Sequence, residues 1–185
     1  GPSLSDWLLD GHEVTEQEVG RCVKQMMLAV KDIHDFGMVH RDLKLDNFVF
    51  VDRRALELKL VDVVGTMQFH VVLEGQKKTL CGTGHYLSPE ALTGHSSPAA
   101  DVWAVGVSMY LIVNREYPFR SASLRELHEA QQTPLGFDSA PWLCMSQDAR
   151  DLARGLLAMN PDQRPTVYEA LASRWFAHCD ALPAG

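Results

Sequence analysis

The chain has 185 residues, 46% of them hydrophobic, which is the size and apolar content of one globular domain with a substantial core. Its 17 basic and 24 acidic residues give a net charge of -7 without a basic cluster, which argues against a surface for nucleic acid or anionic membranes. The longest apolar run, residues 102–113, is shorter than the roughly 20 residues that cross a bilayer, so we expect no membrane segment.

The cysteine pattern favours reduced thiols. The four cysteines lie far apart, form no CxxC pair, and the chain does not begin with a signal-peptide pattern; they are Cys22, Cys81, Cys144 and Cys179. Disulfides and zinc are therefore not expected, and we predict a cytoplasmic or nuclear location.

The first predicted element is an amphipathic helix. Thr15 and Glu18 form a capping box, and the pattern ends at Gly37. The apolar positions between them fall on one helical stripe: Val19, Cys22, Val23, Met26, Val30 and Ile33. We expect this stripe to face the core.

A charged stretch and a predicted hairpin come next. Residues 40–47 read HRDLKLDN, so basic, acidic, amide and imidazole side chains follow one another closely. Residues 48–51 and 56–61 have the composition of two short strands, joined by a polar turn at 52–54. The charged stretch is thus predicted to form a loop between a helix and a hairpin.

The remainder is predicted to be helix or loop. Residues 65–98 lose periodicity and accumulate Gly, Ser, Thr and His, and a long irregular segment in a compact domain is usually functional. Helices are predicted after Asp101, over 124–131 and 146–159, and from a last capping box of Thr166 and Glu169. The expected fold is mainly α-helical with a small β-hairpin.

The charged loop suggests phosphoryl transfer, which needs an oriented hydroxyl, neutralised phosphate charge and a divalent cation. HRDLKLDN resembles the catalytic loop of eukaryotic protein kinases. Further kinase-like motifs follow in family order: LVD at 60–62, TLCGTGHYLSPE at 79–90, DVWAVGV at 101–107 and NPDQRP at 160–165. Lys44 and the GTGHYLSPE segment look like the serine/threonine branch.

The resemblance implies a role for each matching residue. Asp42 would orient the substrate hydroxyl or accept its proton, Lys44 would steady the γ-phosphate of ATP, and Thr83 would contact both. Asn47 and Asp62 would hold Mg2+, and Val49 would form the floor of the adenine pocket. The expected partners are proteins with a target serine or threonine.

Other matching residues are expected to support the site. His40 would anchor the loop, Asp101 would hold its backbone, and Glu90 would form a buried ion pair with Arg164. Arg41 would pair with a phosphate on Thr79, the implied phosphosite. In the same resemblance, Leu80 and Leu87 would line an apolar substrate pocket, and Asp46 would favour basic residues before the target hydroxyl.

Two departures from the family pattern limit the resemblance. Asp62 is followed by Val63 and Val64 instead of Phe-Gly, with Gly65 one place late, so either the motif is altered or one residue is inserted. No GxGxxG motif occurs, and the first lysine, Lys24, already lies within the first predicted helix.

The expectation is therefore a partial catalytic domain. Residues 1–185 would form the large, C-terminal lobe of a serine/threonine kinase with its N-lobe absent, inactive alone and dependent on that lobe as a partner. The alternative is a pseudokinase or truncated kinase-like protein that acts by binding.

Overall fold

A computed structural model describes residues 1–11, 13–62, 67–68, 84–95 and 97–181. Its helices are α1 Leu4–Leu9, α2 Glu16–Asp35, α3 Pro89–Leu92, α4 Pro98–Asn114, α5 Leu124–Gln131, α6 Ala140–Leu143, α7 Gln147–Leu156, α8 Val167–Leu171 and α9 Arg174–Ala181. Its strands are β1 Met38–Val39, β2 Phe48–Asp52, β3 Glu57–Leu60 and β4 Met67–Gln68. Short 3-10 turns occupy Leu45–Asn47, Gly84–Tyr86 and Pro161–Gln163.

Helix α2 follows the predicted course. The Thr15 hydroxyl accepts a hydrogen bond from the Glu18 amide, and the Glu18 carboxylate accepts one from the Thr15 amide, at 3.3 and 2.8 Å. Gly37, with a φ of +69°, lies two residues beyond the helix end, where the backbone turns left-handed. The predicted apolar stripe is buried, and α2 packs against α4, α8, α9 and β3.

Helix α4 is the centre of the core. Every residue from 101 to 110 is buried, because other elements cover the helix on all sides. Gly106 allows α7 to approach closely, since a Cβ built there would lie 2.8 Å from the Leu156 Cβ. Among the described residues, no helix has both the length and the apolar character needed to cross a bilayer.

The predicted hairpin is also present. Strands β2 and β3 pair antiparallel, with Phe48 opposite Leu60 and Phe50 opposite Leu58. Gln25 of α2 joins the hairpin to the helix layer, because its side chain donates to the Leu56 carbonyl at 2.7 Å and accepts from the Leu58 amide at 2.8 Å. The second strand begins one residue later than predicted.

The prediction that everything after Gly65 is helix or loop was wrong. Strand β4 pairs antiparallel with β1, placing Met67 opposite Val39 and Gln68 opposite Met38. Two-residue strands carry no periodicity in the sequence, so only their partners define them. Helices α1, α3, α6 and α9 were not predicted, although Ser3 and Asp6 form a capping box at the start of α1.

Candidate active site

The charged loop lies between β1 and β2 and is held by a buried carboxylate. Asp101, 1% exposed in the first turn of α4, accepts hydrogen bonds from the His40 amide at 2.8 Å and the Arg41 amide at 2.9 Å. These two contacts bring the loop, 60 residues away in sequence, onto the central helix. The backbone of the loop is therefore fixed to the central helix by these two hydrogen bonds.

Two residues of the site have left-handed backbones. Arg41 has a φ of 75° and Asp62 has a φ of 58°, a region that glycine normally occupies. Such conformations cost about 1–3 kcal/mol each and cluster at functional sites. The hydrogen bond from the Arg41 amide to Asp101 offsets part of this strain at the start of the loop.

The loop brings a carboxylate and an ammonium group together. Lys44 donates from Nζ to Asp42 Oδ2 at 3.2 Å, and their side chains are 23% and 33% exposed. Asn47 is buried, and its Nδ2 donates to the Asp42 carbonyl at 2.9 Å. The contact ties the two ends of the motif together, so Asp42 is both accessible to solvent and held in place.

His40 is a buried, neutral support of the loop. It is 1% exposed, and its Nδ1 accepts a hydrogen bond from the Asp42 amide at 3.3 Å. Burial lowers the pKa of His40, against an opposing effect of the Asp101 and Asp42 carboxylates. The imidazole therefore carries its single hydrogen on Nε2.

A second buried charge supports the surrounding structure. The Arg164 guanidinium donates to both Glu90 carboxylate oxygens at 2.7 and 3.2 Å, and its side chain is 0% exposed. Glu90 belongs to α3, directly after the GTGHYLSP segment, whereas Arg164 follows the turn Pro161–Gln163. The pair thus joins the end of that segment to the helical core.

Comparison with known proteins agrees with this geometry. Residues 1–176 match the family described as protein kinase domain. The chain belongs to the protein kinase family. It is 32% identical over 186 residues to calcium-dependent protein kinase 5 of Solanum tuberosum, covering 99% of this chain and 34% of that kinase.

One further kinase and one kinase-like protein match nearly the whole of this chain at a similar identity. A calcium/calmodulin-dependent protein kinase of Metarhizium anisopliae is 35% identical over 181 residues, covering 96% of this chain and 47% of that protein. The CaM kinase-like vesicle-associated protein of Homo sapiens is 34% identical over 190 residues, covering 96% of this chain and 37% of that protein. The kinase chain thus spans between about a third and a half of the length of these curated relatives.

The residues expected to hold Mg2+ fit that ion chemically. Asn47 uses its Nδ2 in the contact with Asp42, which leaves Oδ1 as the oxygen that can bind a cation. Asp62 is exposed, and the preceding Val61 donates from its amide to the Asn47 carbonyl at 2.8 Å. An amide oxygen and a carboxylate from adjacent segments are hard ligands of the kind Mg2+ prefers.

Several kinase-derived predictions stay predictions. Thr79, Leu80, Thr83, Val63 and Val64 lie outside the described residues.

Two of the implied positions can be placed in the fold. Val49 lies in β2 opposite Lys59, half-buried, with its backbone bridged to Ser3. Leu87 is 5% exposed and its carbonyl accepts a hydrogen bond from Gln131 Nε2 at 2.8 Å, so in this structure Leu87 is a core residue.

Sequence reasoning missed one buried side chain of the kinase site. His34, on the last turn of α2, contacts Asp101 through Nε2 and Oδ2 at 2.9 Å. The signal in the sequence is weak: His34 adjoins Ile33, the last position of the apolar stripe, and so lies at the edge of the buried face.

Proposed function

We propose that this chain carries the catalytic residues of a serine/threonine protein kinase, which transfers the γ-phosphoryl group of ATP to hydroxyls of protein substrates. The observation that carries the proposal is the accessible Asp42 carboxylate, paired with Lys44 on a loop whose backbone is anchored to the central helix. Phosphoryl transfer depends mainly on positioning and charge stabilisation, and this loop offers both.

Each residue has a defined task in the proposal. Asp42 orients the substrate hydroxyl and accepts its proton as the hydroxyl oxygen bonds to the γ-phosphorus and the bond to the β-γ bridging oxygen breaks. Lys44 neutralises charge on the transferred phosphoryl group. Mg2+, held by Asn47 and Asp62, would supply charge neutralisation of the ATP phosphates.

The proposal includes a second lobe as a partner. The sequence contains neither a GxGxxG motif nor a lysine before Lys24, the family's means of holding the α- and β-phosphates. We therefore expect the 185-residue chain alone to bind ATP weakly and to phosphorylate nothing at a useful rate.

Substrate choice is proposed to favour basic residues before the target hydroxyl. Asp46 is exposed on the catalytic loop, and the net charge of -7 favours the approach of basic segments. A peptide library phosphorylated by the full-length protein tests this preference. Selection of acidic or proline-directed peptides would contradict it.

A matched pair of substitutions tests the catalytic proposal. In the full-length natural protein, Asp42→Asn is expected to lower kcat by about 100- to 10,000-fold, because the proton acceptor is lost. Asp32→Asn removes an exposed carboxylate from α2 and should leave the rate unchanged. Incorporation of labelled phosphate from ATP into a basic peptide substrate provides the measurement. Equal rates for Asp42→Asn and the parent protein would refute the assignment.

The second candidate function is that of a pseudokinase acting by binding. It is favoured by Val63 and Val64 at the place of Phe-Gly after Asp62. The same assay separates the two, since a full-length protein phosphorylated at Thr79 that transfers no phosphate would favour the binding role. Transfer that depends on Asp42 would exclude it.

A further inference from the structure

A buried glutamine joins helix α5 to the segment at residues 84–90. Helix α5 packs against the turn Gly84–Tyr86 and against α3. Its buried residues are Leu127 and Gln131, each 1% exposed and about one helical turn apart, so they lie on the same face. Gln131, the last residue of the helix, donates from Nε2 to the Leu87 carbonyl at 2.8 Å, across 44 residues of sequence.

Only the donor end of the Gln131 amide has a partner among the described residues. The Leu87 carbonyl can only accept a hydrogen bond, so the amide nitrogen faces it. Oε1 is buried and has no hydrogen-bond partner in the part of the chain that the structure describes. An unpaired buried oxygen lowers stability, and such a group in a native structure calls for a reason beyond packing. The donor end, which holds the Leu87 peptide, supplies that reason.

The 84–90 segment lies beside the catalytic loop. The Tyr86 hydroxyl accepts a hydrogen bond from the Leu45 amide at 3.5 Å, and Leu45 directly follows Lys44. At its other end, the segment is fixed to the core by the buried ion pair of α3. The hydrogen bond from α5 to Leu87 lies between these two attachments, so it determines where the middle of the segment stands relative to the loop.

We propose that Gln131 is a positioning residue for the protein substrate. It acts through the Leu87 peptide, holding the 84–90 segment at the distance from Asp42 at which a substrate chain binds alongside both. This inference rests on the proposed kinase function, and it deepens that function by adding a residue that touches neither substrate nor nucleotide. Loss of the hydrogen bond displaces the segment and leaves the expected ATP-binding residues in place, so peptide binding should suffer.

Substitutions that remove or keep the donor test the inference in the full-length natural protein. Gln131→Met has a similar length and no donor, and it should raise the KM for a basic peptide by about 3- to 10-fold, the effect of one hydrogen bond. The KM for ATP should stay within about twofold, because Asn47 and Asp62 are untouched. Gln131→His keeps an N–H at the same number of bonds from the backbone, so its KM for peptide should stay within about twofold of the parent value.

Controls separate positioning from stability. Gln132→Met makes the same change at the exposed neighbouring residue and should leave both KM values unchanged. Gln131→Met removes the unpaired Oε1 together with the donor, so its urea midpoint should stay close to that of the parent. Val30→Ala opens a cavity in α2 and should lower the urea midpoint without raising the KM for peptide. If Gln131→Met fails to fold, Gln131→Asn, whose amide is too short to reach Leu87, replaces it in the comparison with Gln131→His.

A binding measurement that needs no phosphate transfer separates this inference from the proposed function. Fluorescence anisotropy of the labelled basic peptide, with alanine in place of its target serine, gives a Kd for each variant. Gln131→Met should weaken binding by about 3- to 10-fold, whereas Gln131→His and Gln132→Met should bind like the parent.

Each outcome of the binding measurement decides the role of Gln131. A parent protein that binds the peptide but transfers no phosphate would defeat the proposed function, and the Kd values would still decide this inference. Equal Kd values for the parent and Gln131→Met would overturn it. It would also be overturned by a Gln131→His variant that binds as weakly as Gln131→Met, or by a parent protein that binds no peptide.

Discussion

Removal of the Glu90 carboxylate provides a sharp test of how the core is held together. Arg164 is fully buried, and its five N–H donors all have acceptors. Two point to Glu90 at 2.7 and 3.2 Å, one to the Ala99 carbonyl at 2.6 Å, and two to the Ala158 carbonyl at 3.2 and 3.0 Å. The guanidinium also lies 5.0 Å from the centre of the Trp103 ring.

The expected loss of stability has its cause in this environment. In Glu90→Ala, a guanidinium that is 0% exposed keeps only neutral carbonyl partners and an aromatic face, so its charge is no longer balanced. Loss of one member of a buried ion pair lowers the free energy of unfolding by about 3–5 kcal/mol. If Arg164 is also replaced by Met, the unpaired charge is removed. The loss of unfolding free energy in the double variant should then be smaller than the sum of the losses in the two single variants by at least about 1 kcal/mol.

Urea unfolding of the single and double variants measures these quantities. The matched control is Glu129→Ala, because Glu129 pairs with Arg125 at 2.9 Å on the surface, with side chains 60% and 88% exposed. That change should lower the free energy of unfolding by less than about 1 kcal/mol. A Glu90→Ala variant no less stable than Glu129→Ala, or strictly additive effects of the Glu90 and Arg164 changes, would refute the reasoning.

Three further changes test other contacts, each by urea unfolding. Burial lowers the pKa of His40 in the folded protein, so as pH falls through about 6.5 the imidazole is protonated first in the unfolded chain. Below neutral pH the parent protein should therefore lose stability relative to His40→Gln. The loss should be at most about 1.4 kcal/mol per pH unit. A parent protein that gains stability on acidification relative to the variant would contradict this. Gln25→Leu should lower the free energy of unfolding by about 1–3 kcal/mol, because two backbone groups of the hairpin lose their partner, whereas exposed Gln163→Leu should have little effect. In Gly20→Ala, helix propensity favours the variant by about 1 kcal/mol. The added Cβ, however, would lie 2.2 Å from Cys179 Sγ, and relieving this contact should cost about 1–3 kcal/mol, so the substitution should be destabilising. Partial rescue by Cys179→Ala is expected, and a more stable Gly20→Ala would disprove the clash.

Local features of the fold could be predicted from the sequence. The capping box of Thr15 and Glu18, the apolar stripe behind it and Gly37 all act within a few turns of one helix, so they define α2 without reference to the rest of the chain. The hairpin β2–β3 is equally local, because its strands are separated by one polar turn.

Part of the candidate site was predictable for a similar reason. Asp42, Lys44 and Asn47 are close together in the sequence, so the motif places them on one loop whatever surrounds it. The motif resemblance also pointed to Asp101 and to the pair of Glu90 and Arg164. It did not provide the geometry of those contacts.

Only the tertiary structure revealed the contacts that join distant segments. His34 and Asp101 are 67 residues apart, and the two strands β1 and β4 are too short to show a period of their own. Helix α1 has six residues, fewer than two turns, and its capping box alone does not identify a helix. Periodicity and capping report the contacts of a residue with its neighbours in sequence. The choice of a partner across the core depends instead on which buried polar groups the packing of α2 against α4 brings within hydrogen-bonding distance.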